Sequence, residues 1–294
     1  DGTPVAVKVQ RPNIRPQIEE DLTIMHQAAQ MLEGTSQTAK DFGAVQAVNE
    51  FATSLMEELS YRHEGRNTDR LSKNIHSFKH MRTAKIFWEH SSDRVLTMEF
   101  ITGVKPTEQQ ALKDADIDCV ALSHEFARCM AQQILIDGFF HADPHPGNIS
   151  IDLKSKELIF LDTGMMGILD KSERRDLVQL MLSVHQRDAP ALAKVCINLG
   201  VKEVEVEPRL LSHELERLLG AVLDAPLAEV GAGSFFAELL NLLRKYQVQL
   251  PSGMVMALKS LMQMLEVVVA LNPKLNFSKV AEIVTELMLQ HHTQ

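Results

Sequence analysis

The chain has 294 residues, enough for one or two domains with a sizeable core. Its 30 basic and 39 acidic side chains give a net charge of −9 with no long basic run, which argues against a dedicated nucleic-acid binder. The three cysteines, Cys119, Cys129 and Cys196, are scattered and odd in number, so they suggest a reducing compartment and no disulfide frame or zinc ribbon.

No signal peptide is visible, and no apolar run reads as long enough to span a bilayer. The expected location is cytoplasmic or peripheral at a membrane surface. The chain begins at Asp1 rather than Met and enters a strand almost at once, so it reads as a fragment or excised domain. That strand is Val5-Ala6-Val7-Lys8-Val9, four apolar residues around one lysine. It is similar to the kinase V-A-I-K strand, whose lysine contacts the α- and β-phosphates. A lysine at that position costs desolvation unless it is paired, so a glutamate partner is expected from the next long helix.

Pro12 and Asn13 break the strand, and apolar residues at helical spacing predict a helix over 15–33. A linker at 34–38 and a second helix over about 42–70 follow. Its end carries Glu57, Glu58 and Glu64, of which Glu64 is the favoured partner of Lys8. Residues 85–88 and 94–100 read as two strands around a turn at Ser91-Ser92-Asp93. A break at Ile101-Thr102-Gly103 comes next, and Glu99, just before it, is the candidate nucleotide-binding position of this segment. A helix over 118–137, with Leu122, Phe126, Met130 and Ile134 on one stripe, ends at Gly138.

That helix delivers the chain into His141-Ala142-Asp143-Pro144-His145-Pro146-Gly147-Asn148. An Asp followed five positions later by an Asn matches the spacing of the kinase catalytic loop. Asp162, before Thr163-Gly164 at the end of an apolar run, matches the kinase metal-binding Asp. Between the loops, 149–153 and 158–161 read as a small β-hairpin that folds Asn148 and Asp162 toward one metal. The chemistry fits the residue types. Magnesium takes oxygen ligands, which one carboxylate (Asp162) and one amide (Asn148) supply, while Asp143 receives or orients the proton of the attacking hydroxyl. A rival zinc-type site at His141, Asp143 and His145 is disfavoured by Pro144 and Pro146, and no further His-rich segment completes it. His141 then reads as a structural residue and His145 as a rim residue.

Beyond Gly167 the pattern is helical near 170–186, 189–199, 208–223, 234–247 and 254–271. The last segment is Met-rich and reads as a core helix using Met as filler, with Lys259 and Glu266 arguing against a membrane span.

Four stretches together carry a family resemblance: Val5–Pro12, Glu58–Asn67, His141–Asn148 and Leu161–Met165. They resemble the UbiB/AarF family of atypical, protein-kinase-like proteins, from the first residues to about Pro273. Aminoglycoside and choline kinases share a similar H-x-D-x-H-x-x-N loop, but the K-V-Q-R-P strand end and Pro144 favour UbiB/AarF. The resemblance implies an α+β, two-lobed kinase-like fold. A small antiparallel-sheet N-lobe with added helices would occupy residues 1–103. A large helical C-lobe would occupy 104–294, with a cleft between them of the kind that ligand sites favour. It also implies ATP and Mg²⁺ as cofactors, with Lys8 on the phosphates, Glu64 paired to it, Asp143 catalytic, and Asn148 and Asp162 on magnesium. Backbone groups of the hinge segment would bind adenine. A link to isoprenoid quinone biosynthesis or membrane-lipid homeostasis follows. The expected partners are a lipid or quinone precursor, quinone-biosynthesis enzymes and a membrane surface.

Two departures stand out. Glu58-Leu59-Ser60 has Ser60 where the family's E-x-D motif has an acid. The family's K-x-G-Q motif and small-residue phosphate loop do not occur in these residues. A non-catalytic, nucleotide-gated binding module therefore stays open beside the kinase or ATPase.

Overall fold

The computed structural model describes residues 2–200, 206–222, 227–231 and 234–292. They form two compact units. The first takes the chain up to Asp69 together with Ala84–Phe100, and the second takes Arg70–Thr83 and the chain from Ile101 onward.

In the first unit, strands β1 (Val5–Val9) and β3 (Val95–Glu99) form an antiparallel pair with Lys8 opposite Leu96. The period-two pleat turns Val5, Val7 and Val9 to solvent and Ala6 and Lys8 inward. A small apolar cluster of Ile86, Leu96 and Met98 lies on that inner side, packed by Ala6 and Tyr61. Asn13, in the left-handed region, turns the chain into helix α1 (Ile14–Thr35). Helix α2 (Gln37–Phe42) follows at once and ends on Gly43, also left-handed. The expected linker at 34–38 is thus mostly helical. The expected helix over 42–70 is two helices, α3 (Ala44–Glu58) and α4 (Tyr61–Asn74). The break falls at Ser60, whose hydroxyl accepts the His63 N–H at 3.3 Å, the usual reason a serine starts a helix rather than continuing one. The expected strand at 85–88 is reduced to a single bridge, Ile86 to Met98, followed by a 3₁₀ turn at Trp88–His90. Trp88 donates its indole N–H to Asp69 at 2.8 Å, and its ring covers Gly65, where a Cβ would have no room.

The second unit contains β2 (Met81–Thr83), β5 (Ile149–Ile151) and β6 (Leu158–Phe160) in one sheet, with β6 central, antiparallel to β5 and parallel to β2. The pairing of β2 with β6 is why residues 70–83 belong to this unit. A second ladder joins β4 (Phe139–His141) to β7 (Met166–Ile168). After the short helix α5 (Gln109–Asp114), helix α6 (Cys119–Ala131) runs into a π-helical turn at Gln132–Asp137 and stops on Gly138 at φ 63°. Helices α7 (Lys171–His185), α8 (Ala189–Asn198), α9 (Pro208–Val222), α10 (Leu227–Val230), α11 (Ser234–Lys245), α12 (Ser252–Leu271) and α13 (Phe277–His292) complete it. Asp170 and Glu173 cap α7 reciprocally, and Asp188 caps α8 ahead of Pro190.

One core holds this unit. Phe126, Met130 and Ile134 of α6 and its turn, Phe140 of β4, Phe160 of β6 and the inner face of α12 are all within it. By length and composition α12 could cross a membrane, contrary to the expectation that no run is long enough, because its 20 residues carry only Lys259 and Glu266 as charges. Ten of them, from Met254 to Leu271, are buried inside the protein, as a Met-rich core helix requires.

Candidate active site

The loop 141–148 is built between two ladders. Its first residue closes β4, where His141 pairs with Met166, and its last immediately precedes β5. Phe140 and His141 are buried, and the peptide of His141 is held from two further elements. Its N–H donates to Gln133 Oε1 at 3.0 Å, and its carbonyl accepts from Ser260 Oγ at 2.7 Å. The His141 ring accepts the Asp143 N–H on Nδ1 at 3.1 Å. Burial pushes the pKa of this imidazole down to about 4, against the opposing pull of the Asp162 carbonyl and the Asp162 and Asp143 carboxylates. The ring is therefore neutral at pH 7 and serves as a spacer that shapes the loop. His145 Nδ1 accepts the Gly147 N–H at 2.9 Å, closing the turn.

Asp143 and Asn148 come together as their five-residue spacing predicts. The Asn148 amide donates to the Asp143 carbonyl at 3.0 Å and to Asp143 Oδ2 at 3.4 Å. Asp162 is tied to them through the main chain. The β5–β6 hairpin brings Leu161 N–H to the Asn148 carbonyl at 3.0 Å, and Asp162 Oδ1 accepts the Gly164 N–H at 2.9 Å. Lys8 and Glu64 meet in the first unit at 2.5 Å, with the glutamate buried. Glu99 ends β3 opposite Val5, and its carboxylate accepts the Lys85 N–H at 3.2 Å.

Two side chains at Asp143 come from a place the motif gives no hint of. Gln263 Nε2 donates to Asp143 Oδ1 at 2.6 Å, and Lys259 Nζ stands 3.2 Å from the same oxygen. Both lie on α12. Burial alone would raise the pKa of Asp143, but the Gln263 hydrogen bond and the Lys259 ammonium outweigh it and hold the carboxyl below its ordinary value. The only trace of this in the sequence is the run Lys259-Ser260 with Gln263 one turn on, a short polar stripe on an apolar helix.

The donor set suits magnesium. Asn148 spends its amide N–H groups on Asp143, which leaves the amide oxygen as acceptor, and Asp162 offers a carboxylate. Two protein oxygens completed by phosphate and water are the sparse set Mg²⁺ takes. Zinc is not favoured. The Nδ1 atoms of both His141 and His145 are engaged by main-chain N–H groups, and among the described residues no group of three His, Cys, Asp or Glu side chains could hold a metal.

A model of the ABC1 atypical kinase-like domain matches residues 1–196, two thirds of the chain. The chain belongs to the ABC1 atypical kinase-like family. A model of the UbiB helical domain matches residues 215–276. Among curated relatives, the Synechocystis protein slr1919, of uncharacterized function, is 29% identical over 280 residues, covering 95% of this chain and 49% of that protein. The probable protein kinase UbiB of Xylella fastidiosa is 30% identical over 300 residues, covering 99% of this ABC1 chain and 53% of the relative. The chain thus spans about half the length of the curated relatives it matches. A Mycobacterium tuberculosis protein, Rv3197, solved with erythromycin, shares the fold with a TM-score of 0.64 at 18% identity. It covers 95% of this chain, and the match takes in 70% of Rv3197. The ABC1 chain therefore has the α+β kinase-like fold its motifs predict.

Proposed function

We propose that this ABC1 chain carries the catalytic core of an ATP-binding, magnesium-dependent atypical kinase or ATPase. One observation carries the reading: two ladders and a hairpin bring Asp143 and Asn148 together and tie Asp162, well downstream in sequence, to Asn148 through the main chain. In this assignment the Asn148 amide oxygen and the Asp162 carboxylate hold Mg²⁺, which when bound neutralises phosphate charge. Asp143 orients the attacking hydroxyl or water and takes its proton as the bond from phosphorus to the ADP oxygen breaks and the bond to the acceptor oxygen forms. Lys8, fixed by Glu64, contacts the phosphates, and the segment around Glu99 serves the nucleotide base. The first compact unit is then the partial phosphate-handling lobe, and the second, which carries Asp143, Asn148 and Asp162, the catalytic lobe. The process proposed for it is isoprenoid quinone biosynthesis or membrane-lipid homeostasis, with a lipid or quinone precursor as partner.

The test is ATP binding with and without magnesium, followed by phosphate release. Asp162→Asn is expected to weaken magnesium-dependent ATP binding about tenfold or more, and Asp143→Asn to abolish release while leaving binding nearly intact. Equal losses of binding in the two variants would refute the division of roles. The absence of any magnesium-dependent response in the parent would refute the function. A second reading, a nucleotide-binding module without turnover, is favoured by Ser60, which caps α4 where the family motif has an acid. Binding without phosphate release would select it.

A further inference from the structure

The carboxylate of Asp143 is held unevenly. Oδ1 receives two donors from α12, Gln263 at 2.6 Å and Lys259 at 3.2 Å. Among the described residues, Oδ2 receives only the Asn148 amide at 3.4 Å and faces His145 Nε2 at 3.5 Å, both near the outer limit of a hydrogen bond. Each carboxylate oxygen offers about two acceptor sites. Oδ1 is therefore full, whereas Oδ2 can exchange a weak contact for a short one with an incoming hydroxyl.

We propose that Lys259 and Gln263 are positioning residues for Asp143, anchoring Oδ1 so that Oδ2 is the oxygen presented to the phosphoryl acceptor. This rests on the phosphoryl-transfer reading above and assigns the C-terminal helical segment a part in it. Three observations support the assignment. Gln263 Oε1 is buried and has no hydrogen-bond partner among the described residues. Proteins leave few buried polar atoms in that state, and here the amide cannot turn over, because its oxygen would then face an acceptor-only carboxylate. The orientation of Nε2 toward Asp143 is thus kept at the expense of the other end of the amide. Next, Ser260, between the two residues on α12, bonds the carbonyl of His141, so the helix registers on the loop at more than one point. Finally, Leu258, Leu261, Met264 and Leu265 are all buried, which makes α12 a stiff mount. Stabilisation alone does not account for the Lys259 contact. Its ammonium is half exposed, and exposed ion pairs contribute little.

The experiment measures kcat and KM for Mg-ATP, by phosphate release, on the full chain and on Gln263→Leu, Lys259→Met and Lys259→Arg, with Tm recorded for each. Misplacing a catalytic group by about 1 Å costs on the order of a hundredfold. Gln263→Leu is expected to lower kcat about 10- to 100-fold and Lys259→Met about fivefold or more, with KM for ATP within about twofold of the parent. Lys259→Arg should retain most of the rate, because a guanidinium can reach the same oxygen. The Tm losses of Gln263→Leu and Asp143→Ala should overlap rather than add in the double variant, since each alone removes the Gln263–Asp143 contact. Unchanged or raised kcat in folded Lys259→Met and Gln263→Leu would overturn the proposal while leaving the proposed function intact. A parent that neither binds Mg-ATP nor releases phosphate would overturn the proposed function and, with it, this role. The anchoring contact is tested apart from turnover by the double variant, and additive Tm losses would refute it.

Discussion

Ser260→Ala isolates one contact between α12 and the loop 141–148. The hydroxyl is fully buried and donates to the His141 carbonyl at 2.7 Å, and His141 is itself buried. Replacement by alanine removes one oxygen and leaves almost no cavity, so packing changes little. What is lost is a hydrogen bond, and what remains is a carbonyl that water reaches poorly. A typical intramolecular bond contributes about 0.5–1.5 kcal/mol, and stranding a buried polar group costs about 1–3 kcal/mol. The expected loss is therefore about 1–3 kcal/mol, or roughly 2–12 °C in Tm at the 2–4 °C per kcal/mol of a domain of about 200 residues. Urea unfolding followed by circular dichroism measures it, with Val255→Ala as the control, since Val255 lies on the same helix at the surface. The control should stay within about 0.5 kcal/mol. If Ser260→Ala is as mild as the control, the helix does not hold the loop through this bond and the account of the His141 peptide is wrong.

Two further outcomes follow from particular positions. Gly103 lies against β5, where a Cβ would collide with Ser150 Oγ and come within 2.7 Å of the Ile151 carbonyl oxygen. Gly103→Ala should therefore destabilise the protein by about 1–3 kcal/mol in the same unfolding assay, and a neutral result would show that 101–104 does not pack on β5 as described. The His141 ring binds a proton in the unfolded chain near its ordinary value of 6.5 but in the folded protein only near about 4. Its contribution is whole above pH 6.5 and is lost as pH falls from about 6.5 toward 4, by up to about 3 kcal/mol. His141→Asn should flatten that part of the stability–pH curve, and an unchanged slope would mean that the ring is not buried as a neutral group.

Much of the site was legible because it is local. Asp143 and Asn148 share one loop, and the hairpin from Ile149 to Phe160 is readable from two short apolar runs with a polar turn between them. Helix α1 and the stop at Gly138 follow from periodicity and a glycine. The misses have identifiable causes. Ser60 looks like a mid-helix residue until its hydroxyl is seen to cap α4. Trp88 has strand character, yet its ring is claimed by Gly65 and Asp69, and the chain turns as 3₁₀ instead. Strands β4 and β7 are three residues each, too short for any period to register. Lys259 and Gln263 were hidden for a different reason. On a helix read for its apolar face, a lysine counts as evidence against a membrane span rather than as a group aimed at a carboxylate more than a hundred residues upstream.

That separation has a consequence for how the protein is made. The His141 carbonyl and the Ser260 hydroxyl that holds it lie 119 residues apart. At a synthesis rate of about 5–20 residues per second, the loop 141–148 waits roughly 6–24 s on the ribosome before its support exists. A nascent chain can thus form the hairpin and the strand ladders, but it cannot set the Asp143 carboxylate until the C-terminal helices have emerged and packed. Such long-range closure is slow to form, so the Asp143 carboxylate is set only after residues 252–271 have packed on the loop.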